Sequence, residues 1–131
     1  MKKLPLFAPV VLRLGLAGVF IWFGLSQLIS PTMWVSYIPS WAVNLSGFAP
    51  TTLVVFNGLF EVVMAVLLAF GILNRIVAGL LFLHMVAIVG DVGLSPVGVR
   101  DIGLAVGLLA STMFGEDILS WKSAIITPVN Q

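Results

Sequence analysis

The sequence has no cysteine and a single histidine, His84. The absence of cysteine excludes disulfides, thiolate metal ligands and thiol redox chemistry within this chain. One histidine cannot supply two axial ligands to a haem or build a multi-histidine metal site. We therefore predict no metal site and no covalently bound cofactor, and a redox group would have to come from a partner subunit or from a diffusing quinone.

Charge is scarce as well. Only 8% of the 131 residues are charged, and 60% are hydrophobic. About a quarter of the residues of a soluble domain are charged, so this chain could not cover its surface in water. Its six Lys and Arg residues are scattered, and the net charge of +1 gives no basis for a nucleic-acid partner. The composition predicts an integral membrane protein surrounded by a lipid bilayer.

What the sequence does contain is four long apolar segments, residues 7–29, 51–73, 75–94 and 98–114. A helix needs about 20 apolar residues to cross a hydrocarbon core about 30 Å thick, and the segments reach or approach this length. The first is too long for a secretory signal, contains Arg13 and has no small-residue cleavage site after it. We predict an all-α fold, with residues 1–131 forming one domain built as a bundle of four transmembrane helices.

The connections between these segments differ in length. Residues 31–50 form a long uncharged linker with four aromatic residues, Trp34, Tyr37, Trp41 and Phe48. Aromatic rings favour the membrane–water boundary, so we expect a short amphipathic or irregular segment on one membrane face that caps the bundle. The other connections, Asn74 alone and residues 95–97, are tight turns that make neighbouring helices antiparallel.

Positive charges predict the orientation of the chain. One side of the predicted bundle carries four basic residues, Lys2, Lys3, Arg75 and Lys122. The linker and the turn at Ser95 carry none, so the positive-inside rule puts both termini in the cytoplasm. We interpret Arg75 as an anchor at that interface, and the tail from residue 120 to 131 as interfacial and then loosely ordered.

Ionisable side chains inside apolar helices are the candidates for function, because burying a charge in a bilayer is costly. The candidates, with two polar neighbours, are Arg13, Glu61, His84, Asp91, Arg100, Asp101, Asn57 and Gln27. At a rise of about 1.5 Å per residue, Arg13, Glu61 and His84 fall at depths that a long arginine side chain can bridge. We predict that these three form a ligand-binding cluster with Asn57 and Gln27, and that Asp91, Arg100 and Asp101 form an outer cluster at the mouth of a cavity.

Helical spacing also predicts one polar or small face on each helix, turned inward. These faces are Arg13, Ala17, Phe20, Gly24 and Gln27; Asn57, Glu61, Ala65 and Ala69; His84, Ala87 and Asp91; and Arg100, Gly103, Gly107 and Ser111. The series of small residues from Gly103 to Gly115 indicates close helix packing, either within the chain or in a homo-oligomer.

Each candidate also has a purely structural interpretation. Arg13 with Glu61, or Arg100 with Asp91, would then be an ion pair that sets helix register. A lone histidine among apolar residues is more often a packing residue than a ligand, although proximity of His84 to Glu61 would let the two relay a proton. Spacing alone leaves these alternatives open and assigns no catalytic residue.

Three local patterns resemble the DoxX family of small four-helix bacterial membrane proteins. They are Leu12-Arg13-Leu14-Gly15-Leu16 with Phe20 and Gly24, Gly58-Leu59-Phe60-Glu61 with Gly71 and Arg75, and the pair Arg100-Asp101. Gln27 departs from the family pattern, which often has lysine there. The resemblance implies the bacterial inner membrane and association with oxidoreductases, since relatives include a small subunit of thiosulfate:quinone oxidoreductase.

Three functions follow as hypotheses. The first is a membrane subunit that binds a quinone or another small apolar molecule and works with a redox-protein partner. The second is a non-enzymatic assembly factor or scaffold for another membrane protein. The third, transport of protons or small solutes, ranks last because one four-helix chain shows no inverted repeat of the usual kind. The sequence leaves open whether the chain is catalytic.

Overall fold

The computed structural model describes residues 2–121, and the regular structure in that range is entirely helical. The helices are α1 (Leu4–Ile29), a 3₁₀ helix (Pro31–Tyr37), α2 (Ser40–Ser46), α3 (Pro50–Phe70), α4 (Asn74–Val92) and α5 (Pro96–Phe114). Four of them, α1, α3, α4 and α5, are long and apolar enough to cross a membrane. The predicted all-α, four-helix membrane fold is confirmed. Lys122 and most of the predicted tail lie outside the described residues.

Local signals explain where the long helices begin and end. Proline stands in the first turn of α1, α3 and α5, where its missing N–H is not needed. The Ser95 hydroxyl caps α5 by accepting the Gly98 N–H at 3.0 Å.

The turn between α3 and α4 spans residues 71–73 rather than Asn74 alone, which corrects the sequence prediction. Gly71 adopts a left-handed conformation with φ of 68°, and the N–H groups of Gly71 and Ile72 bond back to the carbonyls of Leu68 and Leu67. These two hydrogen bonds form a Schellman motif, which ends the helix. Hydrophobicity gave no sign of this early ending, because residues 71–73 are mostly apolar.

The long helices pack as two pairs, α1 on α3 and α4 on α5. Gly24 and Gly58 bring α1 and α3 into close contact, since a Cβ at Gly24 would lie 2.6 Å from Val62 Cγ2 and 2.9 Å from the Gly58 oxygen. The pairs meet at Gly107 of α5, which faces Leu16 of α1. We call the end of the bundle where α1 begins the N-terminal end, and the opposite end the linker end.

A packed apolar core fills the bundle toward the N-terminal end. Its buried members are Leu16, Ala17, Phe20, Ala65, Leu68, Val77, Ala78, Leu81, Met85, Ala105 and Leu108. Large apolar side chains also cover the outside of the helices, among them Val11, Phe70 and Leu83. A soluble monomer rarely exposes so much continuous apolar surface, whereas a lipid-facing surface requires it.

The inward face of α5 differs from the prediction. Its buried residues are Gly98, Asp101, Ala105, Leu108 and Ser111, so the prediction for the exposed Gly103 was wrong, whereas Arg100 is half-exposed beside buried Asp101. The predicted inward face was chosen by its small residues, but glycine is tolerated as readily at lipid-facing positions as at positions packed against another helix. Burial was decided instead by Ala105 and Leu108, which pack into the apolar core.

Candidate functional site

A cavity of about 290 Å³ lies between the four long helices toward the linker end, beyond the apolar core. The linker covers it with the aromatic residues Trp34, Tyr37 and Trp41. The polar side chains in its wall come from all four long helices and are Gln27, Asn57, Glu61, His84, Asp91, Arg100 and Asp101. The helices of the two pairs therefore enclose apolar packing at one end and a polar-lined cavity at the other.

Glu61 is the centre of a hydrogen-bonded network in this wall. The Gln27 amide donates to Glu61 Oε2 at 2.9 Å, and the Asn57 amide donates to Oε1 at 3.1 Å and to Gln27 Oε1 at 2.6 Å. His84 Nε2 lies 3.1 Å from Oε1. Glu61 is buried, and three side chains from three helices surround its carboxyl group.

The backbone explains why these side chains meet. Gln27 and Glu61 each lie three residues beyond one of the two glycines at the α1–α3 contact, Gly24 and Gly58, so close helix approach brings the amide to the carboxyl. Asn57 and Glu61 are four residues apart in α3 and share its face.

His84 reaches the network from α4. Its side chain is 19% exposed, and its ring lies against that of Phe60 with the centroids 4.9 Å apart. The predicted proximity of His84 to Glu61 is therefore confirmed, as is the grouping with Asn57 and Gln27. A ligand-binding or proton-relay role for these residues stays a prediction.

The predicted outer cluster lines the same cavity, but its pairing differs from the prediction. Arg100 bonds to its neighbour Asp101, with Nη2 2.9 Å from Oδ1, and its guanidinium lies 4.9 Å from the centre of the Phe23 ring. Asp91 accepts instead from the Trp41 indole N–H at 3.1 Å. The proposed Arg100–Asp91 pair was wrong, since Arg100 pairs with Asp101 and Asp91 accepts from Trp41. Trp34, Tyr37 and Trp41 also line the cavity, a role that the sequence prediction of a capping segment at the membrane boundary did not include.

Arg13 does not belong to this cavity, which corrects the predicted Arg13–Glu61–His84 cluster. Its side chain is 1% exposed and pairs with Asp117, with Nε 2.6 Å from Oδ2 and Nη2 3.2 Å from Oδ1. It also donates to the backbone oxygens of Leu68, at 2.8 Å, and of Ala69. Carbonyls in the last turn of a helix have no partner within the helix; the guanidinium is a partner for the Ala69 oxygen and a second partner, besides the Gly71 N–H, for the Leu68 oxygen.

The depth estimate failed for Arg13 because it considered only how far the side chain could reach toward Glu61. The carbonyls of Leu68 and Ala69 lie about two turns nearer the N-terminal end than Glu61. Asp117, which follows α5, folds back to the same level, and Ser120 packs directly against Gly71. The sequence signal for this ion pair was an acidic residue shortly after the last helix, at the same membrane depth as the arginine.

Two other polar residues at the N-terminal end were not predicted as structural partners. Asn74 is buried, and its amide donates to the Gly115 oxygen, so it ties the start of α4 to the end of α5. Arg75 is exposed and donates from Nε to the Thr112 oxygen at 3.2 Å. Both link α4 to α5 at the end away from the cavity.

Four apolar spanning helices around a polar-lined cavity define a small multi-pass membrane protein. The DoxX family model matches residues 8–93, which is more than half of the chain and includes α1, α3 and α4 with Gln27, Glu61, His84 and Asp91. The chain belongs to the DoxX family. Arg100 and Asp101 lie beyond the matched residues. Searches of curated proteins and of solved structures found no match to this chain.

Proposed function

We propose that the cavity binds a quinone, or another small apolar molecule taken from the bilayer, and that the chain is a membrane subunit associated with an oxidoreductase system. One observation carries the proposal: the Glu61–His84 contact lies in the wall of a cavity formed by membrane-spanning helices. A carboxyl and an imidazole in contact can exchange protons with a ligand.

The size and chemistry of the cavity support this proposal. Ligand pockets usually span about 300–1,000 Å³ and combine apolar walls with a few convergent polar groups. At about 290 Å³ the cavity is large enough for a ring-sized headgroup, and Phe23, Leu53, Val54 and Ile88 supply apolar wall. A hydrophobic tail would remain among the lipid chains.

Electrons would reach or leave this ligand through a partner protein. The chain has no cysteine and only one histidine, so its own side chains offer no thiol couple and no pair of haem ligands. The relatives implied by the DoxX resemblance include a small subunit of thiosulfate:quinone oxidoreductase, which favours a redox protein as the partner that exchanges these electrons. The partner, a homo-oligomer and the bacterial inner membrane as location remain proposals.

Photoaffinity labelling of the purified protein in lipid nanodiscs with an azido-quinone tests the proposal. We expect label on peptides containing Gln27, Glu61 or His84, and a labelling yield about fivefold lower in Glu61→Gln, because a quinone carbonyl would lose a hydrogen bond donated by the Glu61 carboxyl group, which contributes about 1 kcal/mol. Glu116→Gln is the matched control, since Glu116 is exposed outside the cavity. Label spread evenly over the lipid-facing helices, or equal yields in both variants, would contradict quinone binding at this site.

A further inference from the structure

Most hydrogen-bond donors around the cavity are already engaged by the protein itself. The amides of Gln27 and Asn57 point to Glu61, and the indole N–H groups of Trp34 and Trp41 bond to Ser26 Oγ and Asp91 Oδ1. Tyr37 and Arg100 also carry donors, but these side chains are each 48% exposed, and water or headgroups can satisfy them. The inner wall is left with few donors for a ligand, namely the second N–H of the Gln27 amide and, when it carries a proton, His84 Nδ1.

Acceptors in the same wall remain open. Both contacts from Arg100 go to one oxygen of Asp101, with Nε 3.0 Å and Nη2 2.9 Å from Oδ1. Among residues 2–121 no donor reaches Asp101 Oδ2, although this side chain is only 6% exposed and lines the cavity. A carboxylate offers about four acceptor positions, so Asp101 can accept from a ligand. Asp91 accepts from Trp41 through Oδ1, but it is exposed, so water can satisfy its other oxygen.

The charged side chains around the cavity also favour a ligand that donates hydrogen bonds. Three carboxylates line the cavity, those of Glu61, Asp91 and Asp101, against the single guanidinium of Arg100. Even a protonated His84 leaves one negative charge in excess when the carboxylates are ionised. An oxidised quinone has only carbonyl acceptors with partial negative charge, so its oxygens would face repulsion. A hydroquinone has two hydroxyl donors on a ring of nearly the same shape.

We infer that the cavity prefers the hydroquinone over the oxidised quinone, with Asp101 Oδ2 accepting a hydrogen bond from one hydroxyl. This inference rests on the proposed function, because it names the redox form bound at that same site. Arg100 is a positioning residue here: it occupies Oδ1 of Asp101 and leaves Oδ2 to the ligand. The open acceptor, its burial and the excess of carboxylates are what select the reduced form.

Binding of decylubiquinone in its two redox forms tests this inference. The dissociation constants are measured anaerobically on the full chain in nanodiscs, once with the oxidised probe and once with the reduced probe. We expect at least tenfold tighter binding of the reduced form, which corresponds to a midpoint potential about 30 mV higher for the bound two-electron couple. In Asp101→Asn the ratio should fall to about threefold or less, because an amide supplies donors as well as an acceptor. Glu116→Gln should keep the wild-type ratio.

The outcomes separate the two proposals. Equal affinity for both forms, or tighter binding of the oxidised form, overturns the hydroquinone preference and leaves quinone binding intact. Failure of both forms to bind overturns the proposed function itself. Displacement of the probe by benzyltributylammonium at a lower concentration than by the reduced probe identifies a cation site and also overturns the preference. The wild-type ratio decides the matter even if Asp101→Asn fails to fold, and Asp91→Asn provides a second variant.

Discussion

Two buried ionisable residues, Glu61 and Arg13, are satisfied in opposite ways. The Glu61 carboxyl is surrounded by two amides and an imidazole, all in the wall of the cavity. Arg13 is satisfied by the Asp117 carboxylate and by backbone carbonyls at the end of α3, within the packed part of the protein. The first arrangement places a carboxyl in the wall of the cavity, as the proposed proton exchange with a ligand requires. The second holds chain segments together.

At this scale we predict that Arg13→Met lowers the free energy of unfolding by about 3–5 kcal/mol, because it leaves a buried Asp117 carboxylate without its guanidinium. Unfolding in mixed detergent–SDS micelles measures the loss. Arg75→Met is the control: Arg75 is exposed and makes one backbone contact, so its removal should change stability by about 1 kcal/mol or less. Equal stability of the two variants would show that the Arg13 contacts do not stabilise the fold.

At the scale of helices, the α1–α3 contact positions the Glu61 network. Gly24 and Gly58 let the two backbones approach, and this approach sets the distance between the Gln27 amide and the Glu61 carboxyl. The linker contributes from the other side, where Trp34 bonds to Ser26 of α1 and Trp41 to Asp91 of α4. Glycine packing therefore sets the inner wall of the cavity, and aromatic side chains cover its outer end.

Gly24→Ala should destabilise this helix pair by about 1–3 kcal/mol, since the new methyl group would press on Val62 and on the Gly58 backbone. Gly18→Ala is a matched control in the same helix, because a Cβ there meets nothing within 4 Å. The control should be neutral or stabilised by up to about 1 kcal/mol, as alanine is the better helix former. Thermal unfolding of both variants in the same detergent measures the difference, and a Gly24→Ala protein as stable as Gly18→Ala would contradict the close α1–α3 contact.

At the scale of the whole molecule, the cavity and the packed core occupy opposite ends of the bundle. The apolar core, the Arg13–Asp117 pair and the Asn74 contact hold the N-terminal end together, whereas the cavity lies at the linker end. Lys2, Lys3 and Arg75 lie at the N-terminal end. The positive-inside rule therefore predicts that the cavity lies nearer the outer surface of the membrane.

The absence of native cysteine makes this orientation testable. Ser46→Cys places a thiol at the exposed end of α2, and Glu116→Cys places one at an exposed position beyond α5. In spheroplasts, a membrane-impermeant maleimide should label Ser46→Cys directly and label Glu116→Cys only after permeabilisation. The reverse pattern would place the linker in the cytoplasm.

Much of the cavity was predictable from the sequence. Gln27, Asn57, Glu61 and His84 were grouped correctly because helical periodicity and rise fix which face and which depth a residue occupies in an apolar helix. The partner of Arg13 was missed because Asp117 follows the last helix, and its position depends on how the chain folds back. Gly103 was wrongly placed on the inward face of α5 because small residues fit equally well against lipid and against a helix.

The sequence by itself determined that this chain crosses a membrane as four helices and that Glu61 and His84 meet inside it. Hydrophobicity and helical spacing are local properties, so they can be read from the sequence without knowing which residues become neighbours in the fold. Only the tertiary structure decided that Arg13 binds Asp117, that Trp41 donates a hydrogen bond to Asp91, and that the inner and outer polar groups line one cavity. Those contacts join residues 50 to 104 positions apart, and their geometry depends on turns and helix crossings that no local pattern specifies.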